Sequence, residues 1–425
     1  MSWLNFVAVL LFLVAILGVG NHLWIGLPRT IGLLAGALVV SIIIVAAESV
    51  LPSMALRDWW QQVLEANDLP HLFLDSILAF MLFAGALHVD MTELRNNKWI
   101  VLALATFGVV ASTALFASGM WLLSAGEVPF IWCLVLGSIL APTDPIAVSE
   151  LIRRVGLPSS LQAIIAGESL FNDGVAVVVF TLTLSLATGS GELGHGERII
   201  RDFLIEAFGG VALGAVTGYV AYRAMRLIDE YNLELTISLA LVAGTYSLAQ
   251  ALSVSGPLAV VVAGLLIGHQ ATRFAMSDRT RANLTTFWEL IDQLLNAILF
   301  LLLGFTLLAL DARPPMASLA AEGIGLAVLA RLISVGVPTA MIRLPFLQTA
   351  RGIAVLTWGG LRGGISIALA LTLPYSPYRG TLLSVCYAVV VFTILVQGLT
   401  MPWVIRRLYG MSDDQAEGRG HRDAG

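Results

Sequence analysis

The chain has 425 residues, of which 58% are hydrophobic and only 12% charged, and its mean hydropathy is +0.88. So few ionisable groups cannot clothe a chain of this size in a water-facing shell, which excludes an ordinary soluble protein and leaves lipid as the solvent for most of it. A formal net charge of −5 argues against nucleic acid as a partner, and the two cysteines, Cys133 and Cys386, lie inside apolar runs with the spacing of neither a disulfide framework nor a metal knuckle.

Residues 3–19 are apolar, with no basic stretch before them and no small-residue cleavage site after, so they read as a first membrane span rather than a signal peptide. A spanning helix needs about 20 apolar residues. Further runs of that kind follow at 31–50, 72–89, 99–123, 129–150, 161–187, 203–226, 233–253, 256–271, 286–310, 320–341, 351–373 and 380–404. The expected fold is therefore all-α and polytopic, with about thirteen spans. Residues 1–408 form the transmembrane domain, and 409–425 are expected to be a short disordered cytoplasmic tail. Alternate connections hold sixteen and five of the basic residues, while the remaining two, Arg331 and Arg362, fall inside spans. The richer side marks the cytoplasm, which predicts an outside N-terminus, a cytoplasmic C-terminus and residence in the cell inner membrane.

Two spans carry helix-breaking chemistry at their middle. Span 5 reads Gly137-Ser-Ile-Leu-Ala-Pro-Thr-Asp-Pro-Ile146, and span 12 reads Trp358-Gly-Gly-Leu-Arg-Gly-Gly-Ile-Ser366. Proline removes a backbone donor and glycine weakens a helix, so both spans are expected to be interrupted near mid-membrane. They stand seven spans apart, as they would if spans 1–6 and 8–13 were inverted repeats joined by span 7.

Charged groups inside a bilayer are costly and are functional candidates by default. Span 6 contains Gly167-Glu-Ser-Leu-Phe-Asn-Asp-Gly174, which at four-residue spacing stacks Glu168 over Asn172 and Ser169 over Asp173. Asp144 and Thr143 on the broken neighbour can approach that face. A carboxylate, hydroxyls and freed backbone carbonyls together make the hard-oxygen set a small dehydrated cation requires. Ser169 taken alone reads as structural, since serines in membrane helices usually bond backbone. Glu168 is expected to pair with Arg362 across spans 6 and 12, because a guanidinium in lipid demands a carboxylate. Arg331 then has Glu289 or Asp292 as a partner, or snorkels.

These residues carry a resemblance. Thr143-Asp144-Pro145, Gly167-Glu-Ser-Leu-Phe-Asn-Asp-Gly174 and Gly360-Leu-Arg-Gly-Gly364 resemble the monovalent cation/proton antiporter family in its electroneutral NhaP/NHE-like branch, over essentially the whole chain. The resemblance implies a homodimer in which spans 4–6 and 11–13 form a moving ion-carrying core and spans 1–3 and 7–10 a dimerising scaffold. It implies that Asp173 carries ion and proton, that Na⁺ is held by Asp173, Asp144, Thr143 and Ser169, and that Asn172 goes with one-for-one exchange. It also makes Glu168 and Arg362 a structural pair. One departure stands out: many relatives read Phe-Glu-Gly in the third span, where this chain has Phe83-Ala84-Gly85.

The exchange logic needs a single site. A carboxylate removed from water requires a companion positive charge, and a proton or Na⁺ can each supply it, so the two exclude one another at Asp173. Alternating access would deliver the occupied site to either face, in the service of pH homeostasis. No cofactor is expected beyond the transported Na⁺ (or Li⁺) and H⁺. A K⁺/H⁺ antiporter of the same fold is the alternative. A cation channel fits less well, since a single off-centre acid cluster lacks the rings of a pore. An enzyme is not expected: the histidines at 22, 71, 88, 195, 269 and 421 have no metal-ligand spacing. His88 and His269 lie at span ends as candidate pH-sensitive groups.

Overall fold

A computed structural model describes residues 3–50, 60, 77–144, 159–189, 196–228, 230–271, 278–310, 314–342 and 350–409. The regular structure of the described residues is helical, with no strand among them. In chain order the helices are α1 (Trp3–Gly20), α2 (Arg29–Val50), α3 (Leu78–Leu87), α4 (Met91–Asn96), α5 (Lys98–Ala103), α6 (Val109–Leu123), α7 (Phe130–Ile139), α8 (Ser159–Ala187) and α9 (Gly196–Met225). They continue as α10 (Tyr231–Ala251), α11 (Gly256–Leu266), α12 (Asp278–Phe305), α13 (Pro314–Met341), α14 (Ala350–Trp358), α15 (Gly364–Leu371), α16 (Arg379–Phe392) and α17 (Leu399–Tyr409). Eight helical stretches among the described residues are long and apolar enough to cross a membrane. The protein is a multi-pass membrane protein. The tail beyond residue 409 and Pro145 lie outside the described residues.

Two joins inside long apolar stretches are π-helical: Leu104–Gly108 links α5 to α6, and Thr393–Gly398 links α16 to α17. Such wide turns release backbone groups from the regular ladder and often accompany functional sites. The tenth apolar run begins earlier than its hydropathy indicates, because α12 starts at Asp278 and carries a polar first third.

Small residues set the closest packing. Gly210, Gly214 and Gly218 form a four-residue stripe along α9, and a Cβ at these positions would lie 2.5 Å from the Ser255 carbonyl oxygen, 2.1 Å from that of Ala259 and 3.0 Å from the Cα of Ala263. Such stripes let backbones touch where lipid supplies no hydrophobic drive between helices. The α9–α11 contact backs α8, which packs on both helices and on α7.

The expected interruption of span 12 is present in the described backbone, and span 5 loses its helix where its break was expected, its course beyond Asp144 lying outside the described residues. Helix α7 stops at Ile139, and residues up to Asp144 are non-helical. Pro142 has no amide to continue the ladder and pushes the residue before it out of helical conformation. Helices α14 and α15 are separated by the non-helical stretch 359–363, which holds Gly359, Gly360 and Gly363.

Candidate functional site

The two interruptions meet. The Asp144 amide donates to the Leu361 carbonyl at 2.7 Å, satisfying groups that neither broken helix can satisfy itself. A side chain at Gly363 would place its Cβ 2.6 Å from Asp144 Oδ2 and 2.7 Å from Asp144 Cβ, so the carboxylate of one break lies on the bare backbone of the other.

Helix α8 supplies the other wall. Thr143, Asp144, Glu168, Ser169, Asn172 and Asp173 are all buried. Asn172 Nδ2 donates to Thr143 Oγ1 at 2.8 Å, and Thr143 Oγ1 and Ser169 Oγ lie 3.1 Å apart. Asn172 Nδ2 also lies 3.4 Å from Glu168 Oε1, as the four-residue stacking predicts. Asn172 and Ser169 thus hold Thr143 from behind, and neither lines the cavity in front of it. That cavity is walled by Thr143, Asp144, Asp173, Gly363 and Ser366 on its polar side and by residues including Leu78, Leu82 and Leu299 on its apolar side. Asp173 is 4% exposed, and its Oδ1 has no hydrogen-bond partner. Ser366, which the sequence reading passed over, is fully buried with an unpartnered Oγ on the same cavity. Its only sequence signal is its place a few residues after a glycine-rich break.

The expected Glu168–Arg362 pair is corrected. Glu168 is bound by Arg331 of α13, whose Nη1 meets Oε1 and whose Nη2 meets Oε2 at 2.8 Å, a two-pronged fork that matches guanidinium to carboxylate. Arg331 also reaches the Leu356 carbonyl at 3.3 Å, and the bare Gly360 gives its Nε room. Neither Glu289 nor Asp292 is its partner. Glu289 instead stands 3.5 Å from His88 Nε2.

Arg362 needs no carboxylate because it has another negative pole. Its Nη1 donates to the Ala141 and Pro142 carbonyls, the latter at 3.1 Å, just beyond the C-terminus of α7. A helix end of that polarity carries a partial negative charge, and unpaired carbonyls there attract a cation. The Arg362 amide donates to Thr393 Oγ1 at 3.1 Å, which ties the break to the π-helical turn after α16.

Among the described residues no group of three or more His, Cys, Asp or Glu side chains could hold a metal ion. A carboxylate on each of two elements, a hydroxyl and a dry wall suit a monovalent cation or proton more than a transition metal.

A helix end and a glycine-rich break that meet beside buried carboxylates in a multi-pass membrane protein are the arrangement expected of an ion transporter. The sequence pattern of the transmembrane sodium/hydrogen exchanger family matches residues 7–407, and the chain belongs to that family, whose members are transporters rather than enzymes. It is 43% identical to the Na⁺/H⁺ antiporter NhaP of Pseudomonas aeruginosa over 431 aligned positions, covering 98% of this chain and 99% of that one. It is 35% identical to the Na⁺/H⁺ antiporter ApNhaP of Aphanothece halophytica over 82% of this chain and 67% of that protein. In fold it is similar to the sodium proton antiporter MjNhaP1 of Methanocaldococcus jannaschii, with a TM-score of 0.67 at 20% identity over 90% of this chain and 99% of the other.

Proposed function

We propose that the protein exchanges one Na⁺ for one H⁺ by alternating access, with Asp173 as the carrier that either ion occupies in turn. One observation carries this reading: Asp173 is enclosed, has an unpartnered oxygen and shares its cavity with Asp144 and Thr143. A carboxylate out of water without a fixed partner calls for a positive charge, and a proton and Na⁺ cannot both supply it.

The local charge balance supports one-for-one stoichiometry. Among the described residues around the cavity, three buried carboxyls, Asp144, Glu168 and Asp173, stand against two buried guanidiniums, Arg331 and Arg362. Arg331 is committed to Glu168 and Arg362 to the end of α7. With all three acids ionised a single negative charge is left over, and one monovalent cation or one proton cancels it. Crossing is then allowed in either neutralised state and forbidden in the empty charged one. In this proposal Thr143, Asp144 and Ser169 assist Asp173, while Asn172 orients Thr143.

The remaining features of the proposal are architectural. About thirteen spans arranged as inverted repeats, with 140–144 and 359–363 as the crossing breaks, place spans 4–6 and 11–13 in the moving core. Helix α9 turns Leu204, Ile205, Phe208, Val216 and Tyr219 outward, an apolar face fitting lipid or a second copy in a homodimer scaffold. The excess of basic residues in alternate connections supports an inner-membrane orientation with the C-terminus in the cytoplasm.

The test is Na⁺-driven proton movement in proteoliposomes. Asp173→Asn is expected to abolish exchange while the protein still purifies and melts as a folded species. Full exchange with Asn at 173 would sink the proposal. Parallel titrations with Na⁺, Li⁺ and K⁺ identify the preferred cation.

A further inference from the structure

We propose that the Ser366 hydroxyl is a further oxygen ligand for the transported cation, contributed by α15 from the wall that also carries Gly363. The inference rests on the reading of the Asp144–Asp173 cavity as the exchange site.

Serine in a membrane helix ordinarily donates to a carbonyl one turn back in its own helix. This chain follows that habit at Ser118, which donates to Ala114 at 2.8 Å, at Ser138, which donates to Val135 at 2.7 Å, and at Ser384, which donates to Gly380 at 2.8 Å. Ser366 does not. It is the third residue of α15, so one turn back lies the non-helical break at Arg362 and Gly363, where no helical carbonyl is presented to it. The same interruption that brings Asp144 onto Gly363 therefore leaves the Ser366 hydroxyl without a local acceptor.

The hydroxyl is fully buried, its Oγ makes no hydrogen bond, and the cavity it lines also holds Thr143, Asp144 and Asp173. The Ser366 carbonyl accepts from Cys386 Sγ at 3.6 Å, a weak contact that joins α15 to α16. An orphaned hydroxyl in an apolar setting is unfavourable unless something fills the space it faces in a working state. A partly dehydrated Na⁺ wants several hard oxygens, and a hydroxyl adds one without adding charge. It can therefore raise affinity without disturbing a one-for-one exchange.

The experiment is a Na⁺ titration of exchange at fixed pH in proteoliposomes, comparing the parent with Ser366→Ala, Ser366→Thr and Ser366→Cys and using Asp173→Asn as the inactive control. Ser366→Ala is expected to raise the half-saturating Na⁺ concentration about tenfold, the scale of one lost polar contact, with a smaller effect on the maximal rate. Ser366→Thr keeps the hydroxyl and is expected to stay near the parent. Ser366→Cys keeps the volume but offers a soft sulfur, and is expected to behave like Ala; it carries the test if Ser366→Ala does not fold. A Na⁺ dependence unchanged in Ala or Cys would overturn the proposal, as would equal impairment in Ala, Cys and Thr, which would mark a packing role. A parent that fails to exchange at all would overturn the reading of the site itself, an outcome separate from unaltered variants on an active parent.

Discussion

Glu168 and Asp173 stand five residues apart on α8, both almost wholly enclosed, and they meet different surroundings. Around Glu168 both oxygens are held by the fork from Arg331, and Asn172 adds a third contact. Around Asp173 one oxygen is left bare at the wall of a cavity. The first carboxylate is neutralised by a forked protein partner that joins α8 to α13. In the proposed reading the second finds its positive charge elsewhere and is the one that exchanges it. Burial alone does not separate the two surroundings; the presence of a fixed partner does.

The sharpest way to break this contrast is to remove the charge of one carboxylate and the partner of the other. Asp173→Asn, described above, is expected to leave folding nearly intact and to remove exchange entirely. Replacing Arg331 with leucine should act first on folding. It strands Glu168 in a dry interior, and losing one partner of a buried pair costs about 3–5 kcal/mol. The melting temperature of the detergent-purified protein should fall sharply, and much of that loss should return when Glu168→Gln is added to the same chain. If single and double variants melt alike, the pair does not couple α8 to α13.

A smaller effect is expected where the two breaks touch. Gly363→Ala would push its methyl into the Asp144 carboxylate, since the added carbon falls 2.6 Å from Oδ2 and 2.9 Å from Cγ. Relieving that overlap moves either Asp144 or the break, at a cost of about 1–3 kcal/mol. Exchange should drop several-fold through a raised Na⁺ requirement, while Gly363→Ala paired with Asp144→Gly should relieve the stability loss but not the exchange defect. Thermal melts read beside Na⁺ titrations distinguish the two.

Much of this site was legible in the sequence, and what was not has physical reasons. Apolar runs interrupted by Pro142 or by Gly359 to Gly364 announce breaks because few other residues stop a helix in lipid. Acids in the midst of such runs announce chemistry because they are expensive there. The partner of Glu168 was not legible. Arg331 and Arg362 both lie in apolar runs, and sequence spacing holds no distance between helices. Arg362 was misassigned because its acceptors are the Ala141 and Pro142 carbonyls, and a backbone acceptor leaves no mark on residue type. The early start of α12 was hidden for a related reason: its first turns from Asp278 are polar, and a search for apolar runs stops where lipid does.

A last expectation follows from sharing one carboxylate between two ions, and it concerns conditions rather than mutations. If a proton and Na⁺ exclude each other at Asp173, lowering pH must raise the Na⁺ concentration needed for half-maximal exchange. In the acid limit the rise approaches about tenfold per pH unit, the slope of one proton against one cation, and it vanishes at alkaline pH where the site is already free. The maximal rate at saturating Na⁺ should stay nearly level across the acid range, because enough Na⁺ displaces the proton. A carrier with separate proton and cation sites would show the opposite, a maximal rate that falls with acidity at unchanged half-saturation. Na⁺ titrations at several pH values on both sides of neutrality decide between them. Repeating them in Thr143→Val, which keeps Asp173 but removes one hydroxyl from the cavity wall, should shift every curve to higher Na⁺ by a few-fold while leaving the slope per pH unit unchanged.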